Sequence, residues 1–116
     1  MTKLKVLLLM LMIALGSTTI QAQSKKGNQE TISIKTSAVC NMCKHTLEKA
    51  MAYEKGVKSS SLDVSSKVLT IVFDKRKTDS DKLKAAVTAT GYDADELPAQ
   101  ERAYNKLDSC CKKGAH

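Results

Sequence analysis

From residue 30 onward the apolar positions of this chain switch between two periods. Residues 30–36 (Glu-Thr-Ile-Ser-Ile-Lys-Thr) alternate, with Ile32 and Ile34 on one face, as in a half-buried strand. The period then lengthens. Cys43, Leu47, Ala50 and Met51 recur at helical spacing, with Asn41 as the candidate N-cap and Gly56 as the stop. From Val57 the alternation returns, first with Ser60, Leu62 and Val64 on one face, then, past a Ser65-Ser66 turn, with Leu69, Ile71 and Phe73. Thr78-Asp79-Ser80-Asp81 carries the capping chemistry of a second helix, whose apolar face is Leu83, Ala86, Val87 and Thr90 and whose C-cap is Gly91. Residues 92–97 are expected to add a short last strand, ended by Pro98, the only proline.

The order strand, helix, strand, strand, helix, strand fits an α+β fold of the ferredoxin-like βαββαβ type. That fold is a four-stranded antiparallel sheet with two helices on one face. Beyond Pro98, Ala99, Ala103, Tyr104 and Leu107 share a helical face, so residues 99–116 read as a tail with a short helix that docks on the domain and ends in Cys110-Cys111.

Ahead of the domain the pattern is different again. Lys3 and Lys5 precede an uncharged apolar run of ten residues, Val6 to Leu15, followed by Gly-Ser-Thr-Thr-Ile-Gln-Ala, the layout of a secretory signal peptide. Ten residues are too few for a bilayer, which needs roughly 20, so no stable membrane insertion is expected once the signal is removed. Cleavage is placed after Ala22, which gives residues 1–22 as signal, 23–29 as a disordered polar leader and 30–98 as the domain. The destination is the periplasm or the exterior.

Removal of residues 1–22 leaves 94 residues, with 17 Lys and Arg against 12 Asp and Glu, a net charge of about +5. Arg is scarce and the aromatics are only Tyr53, Phe73, Tyr92 and Tyr104, so nucleic acid is not an expected partner. No acid, base and nucleophile constellation stands out, and an enzyme is not expected. The chemistry lies instead in Cys40-Asn41-Met42-Cys43, at the junction of a loop and a helix whose unpaired amides and dipole favour thiolate. Thiolates are soft ligands, suited to copper(I), mercury and zinc. His45, turned away from the pair by helical geometry, is read as a solvent-facing residue, and Met42 as cover for the loop.

Residues 30–97 resemble the heavy-metal-associated domain, the module of bacterial copper chaperones, periplasmic mercury-binding proteins and the N-terminal extensions of metal-pumping ATPases. The resemblance is carried by Cys40 and Cys43, Leu47-Glu48-Lys49-Ala50-Met51, Gly56-Val57, Leu62-Asp63-Val64, Leu69-Thr70-Ile71, Phe73-Asp74, Leu83-Lys84-Ala85-Ala86-Val87 and Gly91-Tyr92-Asp93-Ala94. It implies binding and hand-over of a soft metal, with Cys40 and Cys43 as ligands and Tyr92 beside the site. Two positions depart from the pattern. Ser37-Ala38 stand where the family usually has Gly-Met, and Glu54 stands where it commonly has an apolar residue, a spot that Tyr53 is expected to cover.

Three functions follow from four cysteines in an exported chain. The first is a monomeric carrier that captures Cu(I), with Hg(II) or Zn(II) as alternatives, and passes it to a membrane metal transporter or another metal-accepting protein. A closed Zn(II) site would want about four ligands. The second is a thiol-disulfide oxidoreductase using the same pair, which a following hairpin and the lack of a Trp before the pair argue against. The third is a module stapled by disulfides, with three pairings open. Cys110 and Cys111 are too close in sequence for an ordinary disulfide with each other and are read as accessory metal ligands.

Overall fold

A computed structural model of the protein describes residues 27–113; the expected signal peptide, most of the leader and the last three residues lie outside the described residues. The elements are β1 (Gln29–Lys35), α1 (Asn41–Tyr53), β2 (Val57–Asp63), β3 (Val68–Asp74), α2 (Ser80–Thr90), a five-residue helix α3 (Glu101–Asn105) and a 3₁₀ turn at Ser109–Cys111. The strands form one antiparallel sheet in the order β1-β3-β2. Central β3 is the most apolar strand because both its edges are paired. Ile71 faces Ile32 on one side and Ser60 on the other, and Leu69 faces Ile34 and Leu62.

The sheet lends Ile34, Leu62, Leu69, Ile71 and Phe73 to a single core, which α1 completes with Cys43, Leu47 and Met51, and α2 with Leu83 and Val87. These are the faces the two periods predict, apart from Thr88, which is buried while Thr90 is half-exposed. Thr88 tolerates burial because its Oγ1 donates to Ala85 O at 2.9 Å. Asp79 caps α2 as expected, its Oδ1 accepting from Lys82 N at 2.9 Å. Two glycines hold left-handed backbone that other residues resist: Gly56 (φ 85°) in the turn after α1, and Gly91 (φ 111°) at the C-cap of α2.

The edge strand β2 is tied to α1 by side chains. Glu48 Oε2 accepts from Leu62 N at 2.8 Å, and Lys44 Nζ donates to Leu62 O at 2.9 Å while pairing with Glu48 at 2.6 Å. This i,i+4 pair occupies backbone groups that an edge strand would otherwise leave open.

Three expectations change. The fourth strand is reduced to an isolated bridge between Ala94 and Thr36. Ala94 and Leu97 bond each other, N to O at 2.9 Å in both directions, which turns the chain away at Asp95, itself in left-handed backbone (φ 51°). Asp95 then closes the edge of β1 with its side chain, Lys35 N donating to Asp95 Oδ1 at 2.8 Å. Lys84 of α2 holds Asp95 and Glu96 at 3.3 and 3.5 Å, so the acidic residues go to a cation rather than along the sheet. Second, the N-cap of α1 is Cys40, with extended backbone (φ −149°), and Asn41 is the first helical residue. Third, Tyr53 does not cover the end of α1; it is 84% exposed.

Past Pro98 the tail docks as its apolar face predicts, with Ala103, Tyr104 and Leu107 half-buried. The close approach requires glycine at the end of α2: a Cβ on Gly91 would lie 3.0 Å from Ala103 O and 3.1 Å from Leu107. Among the described residues no helix is long and apolar enough to cross a membrane.

Candidate metal centre

The loop that carries the cysteines is fixed from three sides. Thr36 Oγ1 donates to Lys67 O at 2.8 Å and accepts from Ala38 N at 3.2 Å. Ser37 Oγ accepts from Asp93 N at 2.9 Å. Ala38 is fully buried, so the small residue at this departure from the family pattern sits in a pinned loop. Cys40 follows at the start of α1, half-exposed, and Cys43 one turn on, fully buried in the core.

Their sulfurs lie 3.2 Å apart. The tail brings the other two cysteines to the same place. Cys110 Sγ is 3.8 Å and Cys111 Sγ 3.7 Å from Cys40 Sγ, and the two tail sulfurs are 3.9 Å from each other. Cys40, Cys110 and Cys111 form the cluster of candidate metal ligands among the described residues. No disulfide is formed among the described residues, so none of the three disulfide pairings is present.

The sulfurs are electrostatically unequal. Burial of Cys40 works against its ionisation, but the amide of Cys43 and the thiols of Cys43, Cys111 and Cys110 favour its thiolate and together hold it down at about 6. Burial pushes Cys111 well up, and the neighbouring Cys43 and Cys40 sulfurs push the same way. Cys110 is raised by desolvation and by Cys40. Of these three sulfurs Cys40 is thus the most readily ionised.

The remaining expected residues fall around this group. Met42 is 47% exposed and covers the outer side, its Sδ 3.6 Å from Cys110 Sγ. Tyr92 is fully buried beneath the site, where desolvation raises its phenol and its hydroxyl faces Cys111 and Cys43. His45 is exposed on α1, as read from its helical position.

Asp93 was not legible as a site residue. Besides bonding Ser37, it accepts from Ala99 N at 2.9 Å and pairs with Lys113 at 2.7 Å, so it joins the cysteine loop to the tail. Burial pushes its pKa up, but Lys113 and the Ala99 amide outweigh this and hold it below the ordinary carboxylate value. Nothing in the spacing of Asp93, Ser37 and Lys113 announces this meeting.

The model of the heavy-metal-associated domain matches residues 36–93. The chain belongs to this family. Its fold is shared by the CopZ metallochaperone (23% identity, TM-score 0.54, 56% of this chain and 98% of that one). Oxidized MerP from Ralstonia metallidurans is similar too (25% identity, TM-score 0.55, 57% and 93%). So is the mercury-bound form of MerP, the periplasmic protein of the bacterial mercury detoxification system (24% identity, TM-score 0.52, 58% and 94%). No curated protein matches in sequence. The family match contains Cys40, Cys43 and Tyr92 and ends at Asp93, so Cys110 and Cys111 lie outside the heavy-metal-associated module.

Proposed function

We propose that this protein is an exported carrier of a soft metal ion, Cu(I) before Hg(II), which it captures through Cys40 and Cys43 and hands to a membrane metal transporter or another metal-accepting protein. The observation that carries this reading is the half-exposed Cys40 at the start of α1, held near pH 6 and 3.2 Å from Cys43. A thiolate available at neutral pH is the species that binds a soft ion. Hand-over then proceeds by ligand exchange: an acceptor thiolate bonds the ion before a Cys sulfur leaves, and no free ion is released. The run of Lys3, Lys5 and Val6 to Leu15 is the sequence feature behind the export reading.

The test is Cu(I) titration of the reduced chain from residue 23 to 116 against a chromophoric copper(I) chelator. Cys40→Ser/Cys43→Ser should lose competitive binding and keep its circular dichroism, because the core is complete without metal. Binding as tight as wild type in that variant overturns the site.

The short Cys40 to Cys43 distance and the low value for Cys40 also favour a second reading, thiol-disulfide exchange. Insulin reduction separates the two. Negligible turnover by the reduced protein is expected of a carrier; turnover comparable to a thioredoxin reverses the ranking.

A further inference from the structure

The four sulfurs are not arranged as one pair with two onlookers. Cys40, Cys110 and Cys111 form a nearly equilateral triangle with sides of 3.8, 3.7 and 3.9 Å. The centre of such a triangle is about 2.2 Å from each corner, close to the length of a metal–thiolate bond, about 2.3 Å. The family pair is not so arranged. An ion bonded in line to two sulfurs would hold them about 4.6 Å apart, twice the bond length, whereas Cys40 and Cys43 stand at 3.2 Å. The pair must open by more than an ångström to take an ion, while the triangle is already at bonding size. A site formed before the ion arrives loses less to reorganisation.

The tail is built to hold this geometry. Leu107 and Ala103 seat it against Gly91. Cys111 N donates to Asp108 O at 2.8 Å in the turn that presents both sulfurs, and Cys111 is 3% exposed. Beyond the turn, Lys113 N donates to Tyr104 Oη at 3.0 Å and its ammonium pairs with Asp93. Both ends of the segment are therefore fastened, one on α2 and one on the residue that also anchors the cysteine loop.

We propose that Cys40, Cys110 and Cys111 form a three-thiolate site for a soft ion, in which the cargo rests after capture and from which the tail must lift for hand-over. This rests on the carrier reading. Cys40 belongs to both arrangements, so the ion can move from the Cys40–Cys43 pair to the triangle without leaving Cys40. Each sulfur that is still protonated gives its proton to water as its bond to the ion forms. The bond to Cys43 breaks as those to Cys110 and Cys111 form, Cys43 takes a proton back from water, and no electron is transferred. A Cu(I) ion among three thiolates leaves two negative charges, and Lys112 follows directly on Cys111. The closed form excludes competing ligands; the open form exposes the two-sulfur site that an acceptor can attack.

The experiment compares residues 23–116 as wild type, Cys110→Ser and Cys110→Ser/Cys111→Ser, with Cu(I) delivered from a chromophoric chelator. It adds iodoacetamide mapping of each cysteine with and without one equivalent of Cu(I). Mutating even an outer partner of a metal costs about 10–100-fold in affinity, so loss of both tail ligands should weaken Cu(I) binding by at least about tenfold. Cys110 and Cys111 should be protected in the loaded wild type. The mapping needs no substitution, so it stands even if the variant at buried Cys111 folds poorly. Equal affinities, with Cys110 and Cys111 alkylated as fast in the loaded as in the metal-free protein, overturn the triangle and leave the carrier intact. A wild type that takes up no Cu(I) overturns both.

Discussion

Asp93 and Lys113 meet at 2.7 Å across the base of the tail, and the same Asp93 bonds Ser37 in the cysteine loop through its backbone amide. One residue therefore couples the position of Cys40 to that of Cys111. The pair is partly exposed and screened by solvent, so it is worth at most about 1 kcal/mol, or roughly fivefold in the closed-to-open ratio of the tail. Lys113→Ala should raise the alkylation rate of Cys111 in the metal-free protein by up to about that factor without changing circular dichroism. Asp93→Ala also removes the acceptor of Ala99 N and should raise it further. Unchanged rates in both would mean that the apolar contacts of Leu107 and Ala103 hold the tail alone.

Because Cys40 is shared by the pair and the triangle, single substitutions should be unequal. Cys40→Ser should abolish tight Cu(I) binding. Cys43→Ser should retain measurable binding through Cys40, Cys110 and Cys111. Chelator competition reads both. Equal and complete loss in the two variants would favour the pair as the sole site.

Tyr92 has a buried hydroxyl with no hydrogen-bond partner among the described residues. A polar group that loses water and gains no partner destabilises the fold, so Tyr92→Phe should leave stability unchanged or raise it by about 1 kcal/mol. Urea unfolding of the reduced, metal-free protein measures this. A loss of more than about 1 kcal/mol would instead show that the hydroxyl bonds the Cys43 or Cys111 sulfur.

Asp74 ends β3 with a carboxylate only 2% exposed, accepting from Arg76 Nε at 3.0 Å, Nη2 at 2.8 Å and the Arg76 amide at 2.9 Å. The Arg76 guanidinium and amide hold its pKa well below the usual carboxylate range. The folded state therefore binds fewer protons than the unfolded one near the unfolded value of about 3.9. The stabilisation is fully present above about pH 5 and is lost as pH falls below about 4. The urea midpoint of wild type should fall between about pH 6 and about pH 3, and that of Asp74→Asn should start lower and fall less. Parallel pH profiles would assign acid sensitivity to other carboxylates.

The apolar periods alone located both long helices, the hairpin of β2 and β3 and the inward faces of Ile34, Leu47, Met51, Leu69, Ile71, Phe73, Leu83 and Val87. They could do so because burial of a helix or strand face is a local property of spacing. The pair Cys40 and Cys43 was equally legible, its three-residue step being set by the first turn of α1. Tertiary structure decided the rest. Residues 92–97 carry strand-like alternation, but the Ala94–Leu97 turn and the pull of Lys84 on Asp95 and Glu96 leave only a bridge to Thr36. The tail sulfurs meet Cys40 across 70 residues, a distance set by how α3 seats against Gly91 and how Lys113 finds Asp93. Sequence chemistry named Cys110 and Cys111 as soft donors. Their triangle with Cys40 depends on contacts between segments far apart in the chain, which no local pattern encodes.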